Sequence, residues 1–198
     1  MSDRRSDATV PPLPLLTFGF RATPTTLAVG AQAIARISYP WRELLPSWSL
    51  RFGGAEAGFL GRTLWPERVI EIYVRPGQSV PEVAFALAHE LGHAVDLEHL
   101  DPTGRARWRS ARRINPFLEW FGDSDSNDFA TPAGDWAECF AAWQVGPESF
   151  QSELAGPPDG PIVDLLAHLS LANGDFRPAR QLGSGQDDFP ISRLKPTA

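Results

Sequence analysis

The sequence predicts an α+β fold, with a small sheet in the N-terminal half and a mainly helical C-terminal half. Segments 48–54 and 68–74 are bounded by Gly and Pro and rich in β-branched and aromatic residues, which is typical of strands. Residues 80–100 then carry apolar side chains at helical spacing. Further helical patterns follow at 102–114, 135–144 and 161–172. This order favours a cleft between the sheet and the later helices, with the 80–100 helix beside it.

The length of 198 residues predicts one domain, which we place at 21–182. Residues 1–20 are polar and then proline-rich, and we expect them to be disordered or loosely docked. Residues 183–198 have the composition of a loose tail.

Charge and composition exclude several classes of protein. The net charge of −6 argues against a nucleic-acid partner, because phosphate binding needs a basic surface. No run approaches the roughly 18 apolar residues of a membrane span. Cys139 is the one cysteine, so the chain has no internal disulfide. The N-terminus lacks the apolar core of a signal peptide. We therefore expect a cytoplasmic protein, with non-standard export left open and the oligomeric state not indicated.

The 80–100 segment carries the sequence His-Glu-x-x-His at His89, Glu90 and His93. Ser79 is a plausible N-cap and Glu82 completes a capping box, so the motif falls in mid-helix. Residues four apart lie on one helix face, and His89 and His93 can therefore bind one metal ion. Zinc at such a site activates a water molecule, and the adjacent Glu90 carboxylate would take its proton and pass it to a leaving amine. We predict one zinc ion.

A catalytic zinc needs a third protein ligand, and His99 is the first candidate. His99 lies ten residues after His89, which is the metzincin spacing. Metzincins have glycine at the position of Asp96, where the helix breaks, and a methionine downstream, whereas Met1 is the one methionine here. On an unbroken helix His99 lies roughly 15 Å from His89. We therefore expect His99 at the helix end, in solvent.

The second candidate is the segment 133–143, "AGDWAECFAAW". On a helix, Asp135, Glu138 and Cys139 share one face, and the aromatic residues share another that anchors the helix in the core. Glu138 has the longer reach and is predicted as the third ligand. Asp135, one turn earlier, is predicted to orient a ligand histidine, and the reverse assignment of the two acids stays open. Cys139 is expected to be a small buried residue.

"HELGHAVD" followed some 40 residues later by "DWAECFAAW" resembles the gluzincin-type zinc metallopeptidases, such as the lethal-factor and Pro-Pro endopeptidase families. The pair is most similar to uncharacterised bacterial proteins with the HELGHAVD and GDWAE motifs. The resemblance spans about residues 50–145 and implies a zincin-like fold and peptide hydrolysis. The ligand glutamate of those two families falls at Gly134 here, so the role passes to Asp135 or Glu138.

The function predicted is zinc-dependent hydrolysis of a peptide or protein, with Glu90 as general base. The 68–74 strand, with Ile70, Ile72 and Tyr73, is predicted as the edge strand that binds extended substrate. The alternatives are a non-peptidase zinc amidase, or a regulatory or interaction module that cleaves little or a single partner. Calcium is not expected, because the acidic run 123–128 lacks the glycine and glutamate of an EF-hand.

Overall fold

A small mixed sheet occupies the N-terminal half of the protein. The computed structural model describes residues 21–122 and 127–171 and the backbone of residues 16–18. Its strands are β1 (Leu16–Phe18), β2 (Ser49–Gly54), β3 (Gly61–Leu64) and β4 (Val69–Val74). The strand order is β1-β2-β4-β3, in which β1, β2 and β4 are parallel and β3 runs antiparallel to β4. The structure confirms the predicted small sheet and adds β1 and β3 to it.

Among the described residues, α-helices lie between β1 and β2 and after β4. They are α1 (Pro24–Ile34), α2 (Trp41–Leu44), α3 (Val80–His99), α4 (Pro102–Arg112), α5 (Pro132–Val145) and α6 (Gly160–Ser170). Helices α3 to α6 correspond to the four helical segments predicted after residue 79. The mainly helical C-terminal half is therefore confirmed for the described residues.

Helix α3 begins where its sequence predicts. The Ser79 side chain accepts a hydrogen bond from the Glu82 backbone N–H, and the Glu82 carboxylate accepts one from the Ser79 N–H at 2.8 Å. This reciprocal pair satisfies two backbone donors that a helix start otherwise leaves unpaired. The helix ends at Leu100, whose extended backbone lies outside the helical region.

Helices α3 and α5 pack closely in the centre of the molecule. A Cβ built on Gly92 would lie 2.9 Å from the Ala137 Cα, so only glycine lets the two backbones approach this closely. The Trp136 indole N–H donates to the Gly92 carbonyl at 2.9 Å. Phe140 is fully buried at the same contact, and burial of such a side chain contributes about 1.5–3 kcal/mol. The α3–α5 contact fixes His89 and His93 of α3 relative to the acidic residues of α5.

Parts of the predicted domain scheme lie outside the described residues. These are residues 1–15 and 19–20 of the expected loose N-terminus, residues 123–126 and 172–182 of the predicted domain, and the whole tail 183–198. Residues 16–18 differ from the expectation, because they pair with β2 as a strand. Among the described helices, none combines the length and apolar character needed to cross a membrane.

Candidate metal centre

The two motif histidines lie together on the buried face of α3. Their Nε2 atoms are 3.1 Å apart, and the ring centroids are separated by 4.8 Å. His89 is fully buried and His93 is 3% exposed. The i, i+4 spacing therefore has the effect predicted for it, which is to bring two imidazole nitrogens to one point.

A third group, the Asp128 carboxylate, reaches the same point. Its Oδ2 lies 2.8 Å from His89 Nε2 and 3.1 Å from His93 Nε2. Asp128 opens a 3₁₀ turn, Asp128–Ala130, that leads directly into α5. These three buried residues form a cluster that could hold a metal ion.

The arrangement of protons supports a cation at this point. His89 Nδ1 lies 2.8 Å from a Glu138 carboxylate oxygen, an acceptor, so Nδ1 carries the proton. An imidazole that binds a metal is neutral, and in that form of His89 the Nε2 atom carries a lone pair directed toward another carboxylate and another imidazole. Ligands about 2.0–2.1 Å from a tetrahedral zinc ion would lie roughly 3.3–3.4 Å apart. The observed separations of 2.8–3.1 Å need to widen by only a few tenths of an ångström.

The charges around the cluster favour the same conclusion. Burial alone would lower the pKa of His89, but its hydrogen bonds to Asp128 and Glu138 outweigh burial and raise the pKa to about 10. Burial opposes ionisation of Asp128, yet the neighbouring His93 and His89 hold the pKa of its carboxyl well below its usual range. The pocket therefore stabilises positive charge between these side chains, either as protons or as a metal ion.

The structure corrects the predicted place of Glu138. Its carboxylate approaches His89 from the Nδ1 side, while the cluster forms on the Nε2 side. Glu138 therefore lies on the side of His89 where Asp135 was expected, and Asp128 lies on the side where Glu138 was expected. The turn that carries Asp128 can pass this close to α5 because position 134 is glycine: a Cβ there would lie 1.9 Å from the Asp128 carbonyl oxygen. The absence of a side chain at Gly134 leaves room for the 3₁₀ turn to pack against the first turn of α5.

Asp135 also differs from its predicted role. Its carboxylate accepts two hydrogen bonds from Arg112, at 2.9 and 2.7 Å, and one from the Trp108 indole at 3.1 Å. The Ser152 hydroxyl donates to it at 2.6 Å. Asp135 contacts neither motif histidine among the hydrogen bonds of the described residues, and it fastens α5 to α4 instead.

Glu90 lies beside the cluster, under strand β3. The Thr63 hydroxyl lies 2.7 Å from Glu90 Oε2, while Oε1 is buried without a hydrogen-bond partner. A Cβ on Gly61 would be 2.6 Å from Glu90 Cγ, so glycine is required where the strand passes over the carboxylate. Burial raises the pKa of Glu90, which brings the carboxylate closer to the range of a general base that works near neutral pH.

The predicted edge strand is also corrected. Ile70, Ile72 and Tyr73 belong to β4, which pairs with β2 on one side and β3 on the other. The edge nearest the motif helix is β3. Since the Leu60 carbonyl accepts from the Tyr73 N–H, alternation of the antiparallel ladder turns the backbone groups of Gly61 and Thr63 away from β4. Among the described strands, none pairs with that side of β3.

A cleft of about 390 Å³ is lined by Phe129 and Glu138, the neighbours of the cluster, and not by the cluster residues themselves. Its apolar lining comes from Leu60, Phe85, Ala86 and Phe129, and its polar lining includes Arg75, Gln78, Glu138 and Gln151. Phe129 follows Asp128 in the chain, and its ring packs edge-on against His89 with centroids 6.1 Å apart. The cleft therefore adjoins the His89–His93–Asp128 cluster through Phe129, the residue next to Asp128.

The remaining candidates lie away from the cluster. His99 is half-buried at the end of α3, and burial lowers the pKa of its imidazole. Cys139 is buried, as predicted. Of the acidic run considered for calcium, residues 123–126 lie outside the described residues.

Sequence reasoning missed Asp128, Thr63 and Gly61. Asp128 ends the acidic run 123–128, in which nothing distinguishes the metal-facing carboxylate from its neighbours. The available signal was the Thr131-Pro132 helix start, because an acid shortly before it lies at the entrance to α5. Gly61 and Thr63 belong to a strand too short to show periodicity.

Comparisons with protein families, with curated proteins and with solved structures found no match to this chain.

Proposed function

We propose that this protein is a zinc-dependent peptidase with a zincin-like arrangement of motif helix and edge strand. The observation that carries the proposal is the convergence of His89 Nε2, His93 Nε2 and Asp128 Oδ2, with Glu90 beside them. Two imidazoles and one carboxylate suit zinc, and three protein ligands leave the fourth position that a catalytic site needs. The resemblance of "HELGHAVD" to the gluzincin-type peptidases supports the same proposal, with the acid supplied by a turn before the helix.

Zinc bound by these residues would lower the pKa of a water molecule and polarise the carbonyl of the scissile bond. The chain's own residues transfer the proton and orient the reacting groups. Glu90 accepts the proton of the attacking water and returns it to the amine that leaves. Thr63 fixes the carboxylate through Oε2 and leaves Oε1, the unpartnered oxygen, for that proton. Glu138 holds His89 through Nδ1, so that Nε2 is the nitrogen presented to the metal.

The edge of the sheet supports a peptide as the substrate. The backbone groups of Gly61 and Thr63 point away from β4, and the Thr63 hydroxyl donates to Glu90, over which Gly61 passes closely. An extended peptide that pairs with this edge would place its backbone over the general base. The neighbouring cleft would then receive a substrate side chain among Leu60, Ala86 and Phe129.

The experiment has a binding arm and a hydrolysis arm. Purified protein is expected to carry about one equivalent of zinc by elemental analysis. Incubated with a denatured protein mixture, it should generate new N-termini detectable by mass spectrometry. A chelator should abolish the cleavage and added zinc should restore it, while the His89→Ala/His93→Ala double variant should lose both zinc and activity.

The outcomes separate the alternatives. Full zinc content in the double variant would contradict the metal site. Stoichiometric zinc without new N-termini would contradict peptide hydrolysis. If small amides were cleaved under those conditions, the amidase would replace it. If neither class were cleaved, the non-catalytic zinc module would replace it.

A further inference from the structure

We propose that a short segment after α5, residues 151–153, positions two groups of the metal site: the ligand Asp128 and the ligand-orienting Glu138. We name this segment the strap. The inference rests on the proposed metal site and assigns a role to residues that lie outside both motifs.

Each strap residue contacts a different acidic residue or the turn that carries one. The Gln151 backbone N–H donates to Glu138 Oε2, while Glu138 Oε1 accepts from His89. The Ser152 hydroxyl donates to Asp135 at 2.6 Å. The strap therefore binds both acids of α5 and, through Glu138, one metal-binding imidazole.

Glu153 holds the turn that carries Asp128, from both sides. Its backbone N–H donates to the Phe129 carbonyl at 2.9 Å, directly after the ligand. Its carboxylate accepts from the Asn127 side-chain amide at 2.6 Å, directly before the ligand. Two hydrogen bonds thus bracket Asp128 and fix the backbone on which its carboxylate depends.

Asp128 needs such support because its own element is short. The 3₁₀ turn has three residues, and poor hydrogen-bond geometry makes a single turn of this kind unstable by itself. The Thr131 hydroxyl donates to the Asp128 carbonyl at 2.9 Å, which fixes the end of the turn nearest α5. The Asn127 end is fixed by Glu153. Metal affinity depends on where the carboxylate lies, so release of this end should weaken binding.

The strap is anchored independently of these polar contacts. Phe150 and Leu154, on either side of it, are partly buried and pack against the main hydrophobic core. The strap position is therefore set by apolar packing, and its polar groups transmit that position to the site. Gln151 also lines the cleft, so a ligand bound there would contact the segment that positions the metal-binding residues.

The test compares three variants of the full chain. Glu153→Ala removes the bond to Asn127 and keeps the backbone bond to Phe129. Glu153→Gln keeps an acceptor oxygen for Asn127. Glu148→Ala removes another exposed glutamate nearby, one without a hydrogen bond among the described contacts, and serves as the matched control.

Zinc affinity is measured by competition with a chelator. Loss of groups that orient a ligand typically costs about 10- to 100-fold, and Glu153 acts one step further out, so Glu153→Ala should lose about 3- to 10-fold. Glu153→Gln should stay within about twofold of wild type, since it retains the acceptor. Glu148→Ala should match wild type. The visible spectrum of the Co²⁺-loaded protein should change in Glu153→Ala alone.

A purely structural role for Glu153 would lower the melting temperature and leave zinc affinity and the Co²⁺ spectrum unchanged, and that result would overturn the proposal. If Glu153→Ala does not fold, Asn127→Ala removes the same bond from its other partner, together with the bond that Asn127 Oδ1 accepts from the Phe129 N–H, and is expected to give at least the same loss. Failure of the wild type to bind zinc would overturn the metal site itself. Tight binding by the wild type and by every variant would overturn the strap alone.

Discussion

Replacement of Asp128 by alanine is expected to weaken zinc binding by more than the roughly 100-fold that marks the upper end of losses from a ligand-orienting group. The variant removes one of three atoms that converge within 3.1 Å. It also removes the carboxylate that lies next to the Nε2 atoms of His89 and His93 and would balance the charge of the metal ion. Zinc titration of the variant against a competing chelator measures the loss directly.

Glu138→Ala and His99→Ala are the matched comparisons for Asp128→Ala. Glu138 acts through His89 Nδ1, so its loss should cost about 10- to 100-fold. His99 lies outside the cluster, and its variant should bind zinc as wild type does. If Glu138→Ala were the weakest binder, α5 would supply the third ligand as the sequence predicts, and the role of Asp128 would be wrong.

Glu90→Gln is expected to keep zinc and lose hydrolysis by about 10²- to 10⁴-fold, the usual range for removal of a general base. The amide has nearly the same shape and can still accept from Thr63 through its oxygen, so the fold and the metal site should persist. It cannot take a proton from water. The initial rate of peptide cleavage, measured at equal zinc content, checks the prediction.

Glu67→Gln provides the control for this change, because Glu67 is an exposed glutamate on the connection between β3 and β4. It should leave the rate unaltered. Cleavage by Glu90→Gln at the wild-type rate would exclude Glu90 as the base. A loss of zinc in Glu90→Gln would instead mean that the carboxylate helps to hold the metal.

Helix α3 was predictable because its information is local. The Ser79–Glu82 capping box and the helical spacing of its apolar residues are read within one segment, and both agree with the structure. His89 and His93 are four residues apart on that same helix, so their convergence also follows from local geometry. The part of the candidate site whose geometry could be predicted is the part that one helix contains.

The third carboxylate was not predictable in the same way, because it depends on how α5 and the turn before it approach α3. Asp135, Glu138 and Asp128 are all acids close to one helix start, and the sequence does not say which side of the His89 ring each reaches. Tertiary packing decides this. The close contact of Gly134 with the Asp128 carbonyl admits the turn, and Arg112 retains Asp135.

The sheet shows a similar limit. Segment 68–74 has the composition of a strand, and the structure confirms a strand there, but composition does not show whether a strand is central or at the edge. The edge strand β3 has four residues, two of which are Gly61 and Arg62, and it gives little signal of its own. Its place beside Glu90 follows from pairing with β4, a contact between separate segments.

The most direct test of the metal centre is a crystal structure of the zinc-loaded protein, with diffraction recorded on both sides of the zinc absorption edge. The geometry predicts one anomalous peak about 2.0–2.2 Å from His89 Nε2, His93 Nε2 and an Asp128 carboxylate oxygen, with Glu138 hydrogen-bonded to the other nitrogen of His89. An anomalous peak within bonding distance of Glu138 or His99, and not of Asp128, would contradict the predicted ligand set. So would crystals that hold a full equivalent of zinc at another site.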